Sequence, residues 1–168
     1  MIRRIRLALL IVSFVVLQTT FISDLRVAGS TPSLLLVATL AVAYEDGADS
    51  GVVFGFVGGL AIDCFLSTPF GVSALTFALT GWALGVLQTG LVREMRFVSA
   101  LIAVAGGVLG GSLFVVIASV AGSDHLLTGR SLRIILLAAV FDAIIAPVVF
   151  PIVRWAAREP NGAASWTR

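Results

Sequence analysis

The sequence predicts an all-α membrane protein: a polytopic bundle of about six transmembrane helices with both termini on the cytoplasmic side. Three observations carry that expectation. Of 168 residues, 59% are hydrophobic and only 12% charged, against about 45–50% apolar and about 25% charged in an ordinary globular domain. A soluble fold of this size leaves too much surface in water to hide so much apolar side chain. The apolar residues gather into six runs, and the arginines fall mainly between them. Most cytosolic enzyme folds are thereby excluded. So is a nucleic-acid reader built on a basic surface, because eleven basic residues stand against nine acids and the net charge is only +2. Cys64 is the single cysteine, which rules out an intrachain disulfide and argues against a cysteine-based metal cluster.

Taken in order, residues 7–22 form the first run, preceded by Arg3, Arg4 and Arg6. No small-x-small cleavage site follows it; the chain continues Gln18, Thr19, Thr20, Phe21, so the run reads as a retained helix rather than a signal peptide. The second run, 32–44, opens at Pro32 and falls short of the roughly 20 residues a span requires. It extends back toward Val27 through small, weakly polar residues, and a spanning, a tilted and a re-entrant segment all remain open. In the third run, 51–66, Gly51, Gly55 and Gly59 recur every four residues and share one helix face, with Asp63 continuing the series. The fourth run, 71–92, carries a second narrow stripe of Gly71, Ala74, Ala78, Gly81 and Gly85. The fifth, 97–121, holds Gly106, Gly107, Gly110 and Gly111, two overlapping GxxxG pairs. The sixth, 132–153, contains Asp142, Pro147 and Pro151. Small residues let membrane helices approach closely, so runs three, four and five are expected to pack as the centre of the bundle.

Arginine placement orients the chain. With the N-terminus inside, the inner segments hold Arg3, Arg4, Arg6, Arg93, Arg96, Arg154, Arg158 and Arg168, and the outer ones only Arg26, Arg130 and Arg133. The inner acids Glu45, Asp46 and Asp49 read most simply as a solvated loop, with a basic partner surface as the alternative. Residues 1–158 are expected to form one membrane domain, and 159–168 a short disordered cytoplasmic tail.

Two carboxyl groups fall within the runs. Asp63 lies near an outer turn, where its oxygens are expected to accept hydrogen bonds from the backbone N–H groups that open the next helix. Asp142 lies near mid-run with no Lys or Arg at its depth. A packing hydrogen bond and a proton or partner site are both open for it, and Pro147 and Pro151 are expected to kink the helix and free carbonyls nearby. Catalytic signals are weak. Ser73 sits in Gly71-Val72-Ser73-Ala74, not in a Gly-x-Ser-x-Gly elbow, and the sole histidine, His125, falls in a polar outer loop. Neither a GxxxxGK[ST] phosphate loop nor a His/Cys/Glu metal cluster occurs, so no metal or cofactor is expected.

The segment Gly55-Phe56-Val57-Gly58-Gly59-Leu60-Ala61-Ile62-Asp63, followed by Gly71-Val72-Ser73-Ala74-Leu75 and Gly81-Trp82, resembles the rod shape-determining protein MreD family. Pro32, the Asp142…Pro147 pair and the terminal arginines fit the same pattern; Asp142 departs from it by standing where an amide side chain is expected. The resemblance implies a bundle similar to the substrate-binding subunits of vitamin transporters. It also implies a non-enzymatic inner-membrane scaffold of the bacterial elongation machinery, partnered by the bitopic protein MreC. Through MreC it would meet an MreB-like filament and the lateral wall synthases. Within that reading Gly51, Gly55, Phe56, Gly59, Asp63, Gly71, Ala74, Gly81 and Gly85 form the packing motif, and Asp142 with Pro147 a possible polar site. The rival expectation is a small-molecule binding subunit of a vitamin transporter, with an outward cavity drawing on Asp63, Trp82 and Asp142.

Overall fold

A helix that is apolar on every side has no face to offer water, and the stable place for it is the middle of other helices. Residues 34–44 are such a segment. In the computed structural model, which describes residues 2–22, 33–65, 69–87, 96–120 and 129–157, they become the central post. The described residues form six α-helices: α1 (Ile2–Leu17, continued by a π-helical turn Gln18–Ile22), α2 (Leu34–Asp46), α3 (Ala48–Asp63), α4 (Val72–Leu87), α5 (Arg96–Val120) and α6 (Gly129–Ala157). Every residue of α2 from Leu35 to Tyr44 is buried. The other five helices close a ring around it in the order α1, α3, α4, α5, α6 and back to α1, each also touching α2. The centre is therefore run two, not runs three to five. Hydropathy cannot distinguish a helix wrapped in lipid from one wrapped in helices, because both surroundings are apolar.

Six helices follow the six runs, but their lengths differ from six full spans. Among the described residues, two helical stretches are long and apolar enough to cross a membrane, Ala100–Val120 and Arg133–Ala157. The α2 helix, at 13 residues, extends only about 20 Å, against a hydrocarbon thickness of about 30 Å. Both of its ends are capped by contacts with protein. At the C-terminal end Gly47, at φ 91°, donates its N–H to Ala43 O and turns the chain straight into α3. The expected acidic loop is thus a single residue. Glu45 and Asp46 lie in the last turn of α2, and Asp49 in the first turn of α3.

The small-residue stripes of α3 and α4 meet each other along their length, antiparallel. A Cβ added at Gly59 would come within 2.4 Å of Ala74 Cα, at Gly55 within 2.7 Å of Phe77 O, at Gly81 within 2.9 Å of Gly51 O, and at Gly85 within 2.3 Å of Ala48 Cα. Thr39 of α2 sits in the notch between them, its Cγ2 within 2.7 Å of an added Cβ at Gly55 and 2.9 Å of one at Gly81. In α5 the glycine pairs divide their labour. Gly106 and Gly110 admit Leu40 and Leu36 of α2, while Gly107 and Gly111 admit Ala139 and Ile135 of α6. The fit is therefore one of bulky α2 side chains into glycine notches on the surrounding helices.

Phe56 does not belong to this packing. It is 44% exposed on the outward face of α3, one residue past Gly55 and so turned about 100° away from the stripe. Pro147 and Pro151 lie inside α6, which continues as helix through both, and both are exposed on its outer face. Several features named from sequence fall outside the described residues: Pro32, Arg26, Arg93, His125, Arg158, Arg168, the tail 159–168, and the run ends at 66, 88–92 and 121.

The α3–α4 contact generates a direct test. Gly59→Ala is expected to destabilise the purified protein by about 1–3 kcal/mol or more, because the new methyl meets backbone that cannot rotate away. Gly71, at φ +97° with open space around its Cβ position, is expected to lose only about 1–2 kcal/mol on substitution by alanine. Phe56→Leu should fall within about 0.5 kcal/mol of the parent. Thermal unfolding in detergent, read by circular dichroism, ranks the three.

Candidate functional site

The N-terminus of α2 is half-buried among helices, and its first backbone donors have no acceptor within the helix itself. The helical ladder opens with Val37 N–H donating to Ser33 O at 3.0 Å, so the amides before it need other partners. Three elements supply partners for Ser33, Leu35 and Leu36. The Leu36 N–H donates to Ser33 Oγ at 3.3 Å, an N-cap within the same chain turn. From the π-helical turn after α1, Gln18 Oε1 accepts the Leu35 N–H at 3.2 Å. From the middle of α6, Asp142 Oδ1 accepts the Ser33 N–H at 2.9 Å. The last two bonds span 17 and 109 residues of sequence and tie the first and last helices to the start of the central one. A carboxyl at a helix N-terminus also complements the helix dipole. Asp142 is only 2% exposed, and Gly107 of α5 leaves it room: an added Cβ there would lie 3.3 Å from Asp142 Oδ2.

A second carboxyl cap lies between α3 and α4. Asp63, the last residue of α3 and 3% exposed, accepts the Gly71 N–H at 2.9 Å and the Ala74 N–H at 3.4 Å, both on Oδ2. Its other oxygen, Oδ1, has no hydrogen-bond partner among the described residues. The spacing of four from Gly59 brings Asp63 to the face of α3 that meets α4, and the positive φ of Gly71 lets the chain turn its N–H back toward the carboxyl.

Charge collects at the opposite end of α2. Glu45 and Asp46 occupy its last turn, where acids oppose the helix dipole, and no basic residue lies within that turn. The neighbouring helices compensate. Arg3 of α1 pairs with Asp46 at 2.9 Å and donates to Ser50 Oγ at 3.4 Å, while Arg154 of α6 reaches Glu45 at 3.8 Å. The Arg6 guanidinium stacks over Trp155, 5.0 Å from the ring centroid, and Tyr44 packs tilted against Phe150 at 6.0 Å. These acids thus meet arginines of their own chain, rather than standing as a solvated loop.

The three residues named for a ligand cavity do not converge. Asp63 and Asp142 cap different helices, and Trp82 is 55% exposed on the outer side of α4. Ser73 is buried in α4, and no group of three or more metal-ligating side chains occurs among the described residues. What the buried polar groups can do chemically is accept hydrogen bonds from fixed backbone amides. Sequence reasoning missed Gln18, Ser33, Thr39 and Gly47. Ser33 before a leucine run is a legible N-cap signal; Gln18 carries no signal short of the fold itself.

Removing the Asp142 carboxyl leaves the Ser33 N–H without its partner. Asp142→Ala is expected to lower stability by about 1–3 kcal/mol. Asp142→Asn, which keeps a carbonyl acceptor of the same reach, should lose clearly less. Equal losses in detergent unfolding would show that the cap is not what holds this junction.

Neither a curated protein nor a solved structure matches the chain significantly. One family model does, described as rod shape-determining protein MreD, over residues 2–156. With nearly the whole chain covered by that match, the protein belongs to the rod shape-determining protein MreD family, a membrane family of the cell-shape machinery.

Proposed function

We propose that this protein is a non-enzymatic scaffold of the bacterial inner membrane that serves cell-shape maintenance and lateral peptidoglycan synthesis by binding an MreC-type bitopic protein. Through that partner it reaches an MreB-like filament and the lateral wall synthases. The observation that carries the reading is how the buried carboxyls are used. Asp63 and Asp142, the two acids inside the apolar segments, both accept backbone amides at helix starts. Their role is to fix helices against each other, which suits a rigid body that displays its outer faces. In this reading the α3–α4 hairpin, with Gly51, Gly55, Gly59, Asp63, Gly71, Ala74, Gly81 and Gly85, is the rigid part, and the Asp142 junction with Pro147 beyond it completes the frame.

The same reading places six membrane passages in one domain, 1–158, in an arrangement resembling the substrate-binding subunits of vitamin transporters. Both termini and the tail 159–168 lie in the cytoplasm. Support for the orientation comes from the arginine bias along the sequence. The contacts of Arg3 with Asp46, Arg6 with Trp155 and Arg154 with Glu45 add to it by gathering these groups at one end. Partner helices would dock laterally on outward apolar side chains such as Leu9, Phe56, Leu79, Leu109 and Val140, all exposed.

Depletion in the host bacterium is expected to convert rods to spheres. Photocrosslinkers placed singly at Leu9, Phe56, Leu79, Leu109 and Val140 should capture a bitopic partner from one face or two adjacent faces. Cells that keep their rod shape on depletion would contradict the proposal. A small molecule tightly retained by the purified protein would favour a ligand-binding subunit instead.

A further inference from the structure

We propose that the seam between the first turns of α1 and the last turn of α6 binds the phosphate of an anionic membrane lipid, with Arg6 and Arg154 as donors and Trp155 as the wall against which the lipid lies. The inference rests on the membrane reading of the chain and not on the scaffold function. It starts from the pairing of charges at this end of the bundle. Asp46 is satisfied by Arg3 at 2.9 Å. Glu45 is reached by Arg154 only through Nε, at 3.8 Å, beyond hydrogen-bond distance, and the Arg154 side chain remains 53% exposed. Among the described residues Arg6 meets an aromatic ring rather than a carboxylate. A guanidinium stacked over a ring keeps its in-plane N–H donors free for a planar or tetrahedral oxyanion. Among the described residues, then, no carboxylate comes within hydrogen-bond distance of either guanidinium, and the two lie on adjacent helices at one level of the bundle.

Trp155 sets that level. It is 65% exposed in the last turn of α6 while its ring face carries Arg6, and tryptophan in such a place sits at the headgroup boundary, with an apolar body and a polar edge. Exposed aliphatic residues lie further along both helices, Leu9 on α1 and Val148 and Ile152 on α6. They offer acyl chains apolar surface on the bundle side of the arginines. A cationic pair at the interface with exposed apolar side chains beside it fits a phospholipid, which carries an anionic phosphate and acyl tails in one molecule. A free phosphate would use the arginines but not the apolar side chains.

The test uses the full-length protein in detergent, with phosphatidylglycerol or phosphatidylcholine of the same acyl chains added and retained lipid counted by native mass spectrometry. Phosphatidylglycerol should be retained in preference to phosphatidylcholine, and Arg6→Gln and Arg154→Gln should each weaken that retention about fivefold, the equivalent of about 1 kcal/mol per basic group. Arg133→Gln, on an exposed arginine at the other end of α6, should leave it unchanged. If a glutamine variant loses its helical circular dichroism, Arg154→Lys and Trp155→Phe replace it; lysine is expected to keep the lipid preference, and phenylalanine to keep the fold while weakening retention. Equal retention of the two lipids, or an equal effect of Arg133→Gln, overturns the proposal and leaves these arginines to carboxylates of a partner protein. Displacement of the lipid by millimolar inorganic phosphate also overturns it, in favour of a simple anion site.

Discussion

A helix that begins inside a bundle must find acceptors for its first amides there, and this requirement governs the structure. The α2 helix starts at Ser33, beside the middle of α6. Its opening amides are met by Ser33 itself, by Gln18 after α1 and by Asp142 on α6. Leaving such a donor without its partner costs on the order of 1–3 kcal/mol, so the three acceptors together hold this end of the helix in place. They also explain why an acidic residue is tolerated at mid-helix in α6, where a carboxyl otherwise needs water or a partner.

Once α2 is fixed in the centre, the rest follows from size. Its leucines and its threonine need recesses, and the ring of helices provides them as glycines: Gly58 for Leu35, Gly106 for Leu40, Gly110 for Leu36, and the Gly55–Gly81 notch for Thr39. Glycine thus serves two contacts at once. Along α3 and α4 it brings two backbones together, and toward α2 it makes room for large side chains. The far end of α2 is held differently, by arginines from α1 and α6 on acids that its own dipole disfavours. The first and last helices, remote in sequence, therefore meet the central helix at both ends.

Much of this was legible in the sequence, and the remainder was hidden for identifiable reasons. The six apolar runs became six helices because hydropathy and length report helix existence well. The register of the α3 and α4 stripes was legible because spacings of three and four place residues on one face. The central position of α2 was not, since an apolar surface suits lipid and protein alike. Nor was the partner of Asp142: Ser33 lies 109 residues away, and no local pattern encodes such a pairing. Phe56 shares a segment with the packing glycines, yet the 100° step from Gly55 turns it outward. Charge pairing, too, is not a local property. Glu45 and Asp46 look like a solvated loop until the fold brings Arg3 and Arg154 to them.

The most direct measurement is hydrogen exchange at the start of α2 in the purified, detergent-solubilised protein. The amides of Ser33, Leu35 and Leu36 precede the helical ladder and would ordinarily exchange like a frayed end. Capped by Asp142, Gln18 and the Ser33 hydroxyl, they are expected to be protected as strongly as those of Leu40 and Ala41, and Gln18→Ala should release Leu35 selectively. Exchange of all three amides within the first moments of labelling, with Leu40 and Ala41 still protected, would contradict the central place given to this junction.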